Sequence, residues 1–304
     1  MKEQLTLTAL AVLSLAFASC NPTPKEVWGE KIVACGDDKV LIIDASQSTP
    51  DSAAIIWKWQ IDEAMGQIPE EYKNRNRSID DCKVVDGGSK LLITSSSNST
   101  ILLDIATKKC LFWAYTPMAH SAEYLPGDRI IVANSTTPLG NSLELYDAGK
   151  PEQVIWKDSL YFGHGTVWME KYERLYTLGY KEIRVYRLEN WNSEHPSLVQ
   201  EKVYEIPGTG GHDLNRISKD ALLMTNHEGV YVFDIQNETF TPFQPLEGVE
   251  NIKSVNYNPQ TGQTIYTKAE ISWWTHHLYS SNPSWTITVE DVDLYKVRTV
   301  ATLP

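Results

Sequence analysis

The chain has 304 residues, with 27 Lys and Arg against 39 Asp and Glu, for a formal net charge of −12. An acidic chain without basic clusters argues against nucleic acid as a partner. The length is ample for a large core, either one repetitive domain or two ordinary ones.

The first element is an apolar run from Leu5 to Ala18, broken only by Thr6, Thr8 and Ser14. It is short for a bilayer span and suits the apolar region of a signal peptide, residues 1–19. The stretch Phe17-Ala18-Ser19-Cys20 resembles a bacterial lipobox, with Phe17 where such signals usually carry Leu. That resemblance implies an exported protein acylated at Cys20 and held at the bacterial outer membrane, on its periplasmic or surface face, with the lipid as its only membrane contact. An ordinary signal peptide with an incidental cysteine is the alternative. Residues 20–29 then form a tether, because Asn21-Pro22-Thr23-Pro24-Lys25 resists helix and offers nothing to bury. Three cysteines follow, Cys35, Cys82 and Cys110, allowing at most one disulfide and no metal knuckle.

From residue 30 to 304 short runs of β-branched and aromatic residues alternate with Gly, Asn, Asp and Pro, the pattern of an all-β domain. An apolar strand ending in aspartate recurs: Val40–Asp44, Ile101–Asp104, Leu143–Asp147 and Val230–Asp234. Val185-Tyr186-Arg187 fits the same place without the acid. A second strand precedes most of these by about ten residues, at Ile32, Leu91, Ile130, Leu175 and Leu222, with a sixth copy at Thr264. Downstream come strands carrying Trp57, Trp113 and Trp156, and the last two each lie nine residues past their aspartate. Units of 40 to 48 residues with three or four strands predict one β-propeller of six blades, each of four antiparallel strands. The first unit lacks an innermost strand ahead of Ile32, and Leu294-Tyr295-Lys296-Val297 is the candidate to complete it.

The strand, Asp, turn, strand, Trp order resembles the repeat of quinoprotein-like and WD-like propellers, with Lys108 where that repeat usually has Gly. The resemblance implies the fold and carries no quinone cofactor. In organisation the whole chain is similar to propeller lipoproteins of polysaccharide-degrading bacteria, a group that brings no assigned catalytic residue.

Reading ten residues back from the second strand gives Asp81, His120, His212 and Ser254, and eleven back from Leu175 gives His164. Three of the seven histidines therefore share one position in consecutive blades, at the start of the strands that line the channel. Imidazoles converging there with Asp81 can hold a divalent ion such as Zn, Mn or Ca. The arrangement resembles in kind the three-histidine site of oligogalacturonate-lyase propellers, which implies metal-assisted chemistry on an acidic sugar. The other readings are structural, each histidine bonding to its own blade, or metal-free ligand binding. Trp273, Trp274, His276 and His277 form either a sugar-stacking lip or a seal on the last blade. The repeat tryptophans read as packing between blades. His195 and His227 lie in turn-like contexts expected to face solvent. The charged stretch Ile61–Ser78 interrupts the repeat between the first two units.

Two functional classes follow. One is a cell-envelope protein that binds or processes an oligo- or polysaccharide at the channel mouth, as a glycan binder or a metal-assisted lyase or glycoside hydrolase. The other is a non-catalytic scaffold binding other envelope proteins.

Overall fold

Strand composition follows strand position. In the computed structural model, which describes residues Glu26–Ala301, runs such as Ile32-Val33-Ala34-Cys35 and Ile130-Ile131-Val132-Ala133 are wholly buried. These are second strands, covered on both faces by neighbouring sheets, so no face needs polar residues. An outermost strand such as Val154–Ser159 has no fully buried position. The signal-peptide and Cys20 expectations lie outside the described residues.

Among the described residues twenty-four strands make six four-stranded antiparallel sheets. Counted from the innermost strand, blade 1 is Leu294–Thr299, Lys31–Gly36, Lys39–Asp44 and Ile55–Gln60. Blade 2 is Ile79–Val85, Lys90–Ser95, Ser99–Asp104 and Cys110–Ala114. Blade 3 is Ala119–Leu125, Arg129–Asn134, Ser142–Asp147 and Val154–Ser159. Blade 4 is Gly165–Met169, Arg174–Leu178, Glu182–Glu189 and Ser197–Glu205. Blade 5 is Asp213–Arg216, Ala221–Thr225, Val230–Asp234 and Thr239–Pro242. Blade 6 is Ile252–Tyr257, Thr264–Lys268, His277–Ser281 and Trp285–Thr288.

Each innermost strand touches those of both neighbouring blades, so the ring closes. Closure joins the two ends of the chain in one sheet, with Ile32 opposite Thr299 and Ala34 opposite Val297. The strand expected around Leu294–Val297 is therefore the innermost strand of blade 1. The buried apolar residues fall into six clusters, one at each seam between blades. Each fully buried Leu or Ile contributes about 1.5–3 kcal/mol, a gain unavailable to a lone sheet with both faces wet.

The recurring aspartates close turns. Asp104 accepts from the Thr107 amide at 2.8 Å and hydroxyl at 2.7 Å, and Asp234 accepts from the Gln236 and Asn237 amides at 2.9 and 3.0 Å. Such side-chain-capped turns need no tertiary partner, so the motif repeats in the sequence. Lys108, where the family repeat has Gly, sits at φ 57°, in the left-handed region where a side chain is strained. The tryptophans behave as expected. Trp57 donates to the Ile105 carbonyl of blade 2 at 3.1 Å, Trp156 packs on Tyr186 of blade 4, and Trp113 sits in the seam between blades 1 and 2.

The charged stretch Ile61–Ser78 is not wholly solvated. It forms two short helical turns and sends Ile61, Ala64, Ile68 and Tyr72 into the seam between blades 1 and 2. Cys35, Cys82 and Cys110 are free thiols, all buried.

Candidate functional site

The innermost strands place one residue per blade at each level of the channel, and three levels carry nearly all its chemistry. At the strand starts stand Tyr295, Asp80, His120, His164, His212 and Lys253, in blade order 1 to 6. In blades 1, 2, 3 and 6 the pairing with the second strand slips here by one residue. Two residues then oppose one, a bulge that re-aims a side chain.

The level expected from sequence needs a correction. Leu91 pairs with Val84 and Thr264 with Tyr257, seven positions back, whereas Ile130 pairs with Tyr124 and Leu222 with Arg216, six positions back. The first hairpin is thus one residue longer in blades 2 and 6. An offset of ten lands one residue late there, on Asp81 and Ser254, while Asp80 and Lys253 stand level with the histidines.

The histidines do meet. The ring centroids of His120 and His164 are 4.1 Å apart, and those of His164 and His212 are 5.6 Å apart. Phe162 stacks on His164 at 4.0 Å, and the exposed His227 lies 4.9 Å from His212. His120 Nδ1 faces the Met118 carbonyl at 3.0 Å and His164 Nδ1 faces the Phe162 carbonyl at 3.1 Å. The rings are thus tied to their own entry turns and also share one mouth. His120 Nε2 lies 3.6 Å from Asp80. Burial raises the Asp80 pKa, an effect that His120 and the Ser96 contacts reduce. Burial, then the neighbouring His120 and His212, holds His164 well below the ordinary histidine value. His212 is lowered to about 2 by burial and then by Lys253. Among the described residues no group of three or more His, Cys, Asp or Glu side chains is placed to hold a metal ion.

One level deeper the channel is plugged by charge. Lys296 is fully buried, with Nζ 3.3 Å from Asp213 and 3.8 Å from Asp81. Arg298 forks onto both acids, at 2.9 and 3.1 Å to Asp81 and 2.8 and 2.5 Å to Asp213. Ser121 adds a hydrogen bond to Asp81 at 3.0 Å. Burial alone would raise both carboxyl pKa values, but Arg298 and Lys296 outweigh it and hold them below the usual range. Asp81 is thereby engaged in this knot and not with the histidines.

The third level, Arg298, Lys83, Glu123, Val167, Asn215 and Asn256, floors a cavity of about 650 Å³ at the opposite mouth. Lys83 reaches Glu123 at 3.2 Å and the Thr166 carbonyl at 2.6 Å. Asn215 donates to the Asn256 side chain at 2.9 Å, and Arg216 on the rim pairs with Glu170 at 2.6 Å. Burial raises the Glu123 pKa and Lys83 opposes it. Half-buried Trp28, Tyr124, Trp168 and Tyr257 supply the cavity's aromatic surface.

The aromatic segment of blade 6 stands apart. Trp273 is 61% exposed, Trp274 lies 5.0 Å from His276, and His277 bonds Glu270 at 2.7 Å. Among the described residues no ring contact joins this segment to the three channel histidines. His195 is exposed, as expected.

Sequence reasoning missed the salt-bridge knot and the cavity. A usable signal was present: Asp81-x-Lys83, Asp213-x-Asn215 and Lys296-x-Arg298 place polar residues at period two within strand-like segments, the mark of one polar-facing side.

These features define a six-bladed propeller with a plugged, charged channel and a ligand-sized cavity at one mouth. The chain belongs to the Family of unknown function (DUF6528), whose model matches residues 15–302. Among curated proteins none matches it.

Proposed function

We propose that this protein is a carbohydrate-binding propeller of the cell envelope, with the aromatic-rimmed cavity as its site. The observation that carries the reading is the combination of Trp28, Tyr124, Trp168 and Tyr257 with a floor of amide, carboxylate and cationic groups. Sugar rings present apolar faces to aromatic side chains and hydroxyls to such polar groups. The volume lies within the range of small-ligand pockets. Four aromatic rings and internally paired charges favour a largely neutral saccharide over a highly charged one. With no metal-holding group among the described residues, binding is preferred to metal-assisted cleavage.

Glu26 lines this cavity, and Cys20 stands six positions earlier in the chain. Six residues reach at most about 20 Å. A lipid anchor at Cys20 would therefore tether the propeller from its cavity side.

The test is a calorimetric and tryptophan-fluorescence screen of neutral and acidic oligosaccharides. Binding should occur, and Trp168→Ala should weaken it about tenfold, or ~1.4 kcal/mol. If no saccharide binds, or if Trp168→Ala binds as tightly as the parent, the sugar reading is wrong and the protein-scaffold reading takes its place.

A further inference from the structure

The opposite mouth contains a buried charge with no acid beside it. Lys253 is 9% exposed, and its Nζ lies 3.2 Å from His212 Nε2. The other channel cations among the described residues have carboxylate partners: buried Lys296 and Arg298 share Asp81 and Asp213, and the partly buried Lys83 holds Glu123. Among the described residues no salt bridge reaches Lys253. Asp80, the one acid on its level, is held by the Ser96 amide at 2.5 Å and faces His120. A buried cation without a partner is costly, which is why native interiors pair them.

His212 carries a second unmet donor, on the side of its ring away from Lys253. Its Nδ1 is buried without a hydrogen bond, although the equivalent nitrogens of His120 and His164 face backbone carbonyls. With Nε2 accepting from Lys253, Nδ1 carries the proton. The unmet capacity at Lys253 is therefore of one kind, two further N–H groups, while the His212 Nδ1–H leaves the ring on the side away from Nε2 and does not reach the same small acceptor. What completes the group is an acceptor, and the charge of Lys253 makes it an anion.

We propose that Lys253, held by His212 Nε2, forms a site for a small oxyanion, a carboxylate or a phosphate, entering the channel from the histidine mouth. The exposed His227 stands at the entrance beside His212, His164 with its stacked Phe162 forms the adjoining wall, and Lys296 lies beneath. Asp213, the acid next to His212 in the chain, is already held by Arg298, Lys296 and the Val255 amide. The Lys253 pKa is lowered to about 8, by burial and then by Lys296, so the ammonium form persists at neutral pH and fades above it. His212 and His164 stay neutral over that range and serve as hydrogen-bonding groups. The site is separate from the aromatic cavity and stands or falls independently of the sugar reading.

Thermal unfolding of the full mature protein, with sodium acetate or inorganic phosphate added at constant ionic strength, tests the site. The wild type should show a rise in Tm that grows with the logarithm of anion concentration above Kd, about 3 °C at ten times Kd, fading above pH 8. The anion giving the larger rise names the source. Lys253→Met should melt no lower than wild type without anion, because it removes an unpaired charge, and should lose the anion response. A second measurement needs no variant: acetate binding at pH 8.5, by calorimetry in two buffers of different ionisation enthalpy, should take up as much as about three quarters of a proton, because only about a quarter of Lys253 is protonated there beforehand. No rise in Tm with either anion, an equal response in Lys253→Met, or zero proton uptake would each overturn the proposal.

Discussion

The two ends of the channel are built from equivalent positions of the same six strands, yet they solve opposite problems. At the cavity end each charged group has a partner: Lys83 has Glu123, Arg216 has Glu170, and Arg298 has two aspartates. That end is open and lined by rings, a surface complete before any ligand arrives. At the histidine end the side chains are packed nearly out of solvent, while Lys253 and His212 retain unmet donors. Full pairing marks a rigid receptor, whereas unmet buried donors mark a place where something else completes the structure.

The knot between the two ends offers the largest test of this contrast. Arg298→Met leaves Asp81 and Asp213 buried with only Lys296 between them, and should cost about 3–5 kcal/mol in chemical denaturation. The pH dependence should move with it. In the wild type both carboxyls titrate below the unfolded value of about 3.9, so their contribution is complete above that pH and is lost as pH falls below it. The variant should begin to unfold at higher pH. An unchanged acid midpoint would show that Lys296 alone suffices.

At the cavity end, Lys83→Met should cost about 2 kcal/mol, since Lys83 and Glu123 are only 14% and 18% exposed. Glu123 already has a raised pKa, and losing Lys83 raises it further. An acid whose folded pKa lies above its unfolded value loses stabilisation as pH rises through the interval between the two. The deficit against wild type should therefore be larger at pH 8 than at pH 5. The same deficit at both would mean that Glu123 is better solvated than its burial indicates.

At the histidine end, His164→Phe should be nearly neutral at pH 8, because the ring is uncharged there and stacks on Phe162. Its effect lies in the slope. A histidine whose folded pKa is depressed stabilises the fold above the unfolded value of about 6.5 and costs stability as pH falls below it. The wild type should thus lose up to ~1.4 kcal/mol per pH unit through this residue between pH 6 and 5. The variant should lose correspondingly less over the same interval. Equal slopes would place the His164 proton elsewhere.

What the sequence determined by itself was everything that is local or repeated. The aspartate turns at Asp104 and Asp234 are closed within three residues, so they recur in four of the six blades, and with the second strands their spacing sets the repeat. The apolar second strands reveal their burial because both faces are covered, and the polar strand Leu294–Thr299 could be matched to the vacancy in blade 1. The shared position of His120, His164 and His212 also survives. The level of Asp81 and Ser254 did not, because a hairpin one residue longer shifts the inner strand without altering its composition. Only the closed ring decided the rest. Arg298 and Asp81 are 217 positions apart and meet because the last strand completes the first sheet. The cavity takes one floor residue from each blade, which no single stretch of chain contains. Lys253 is an ordinary surface-type residue in the sequence, and it becomes a buried charge only when five other strands are packed around the same axis.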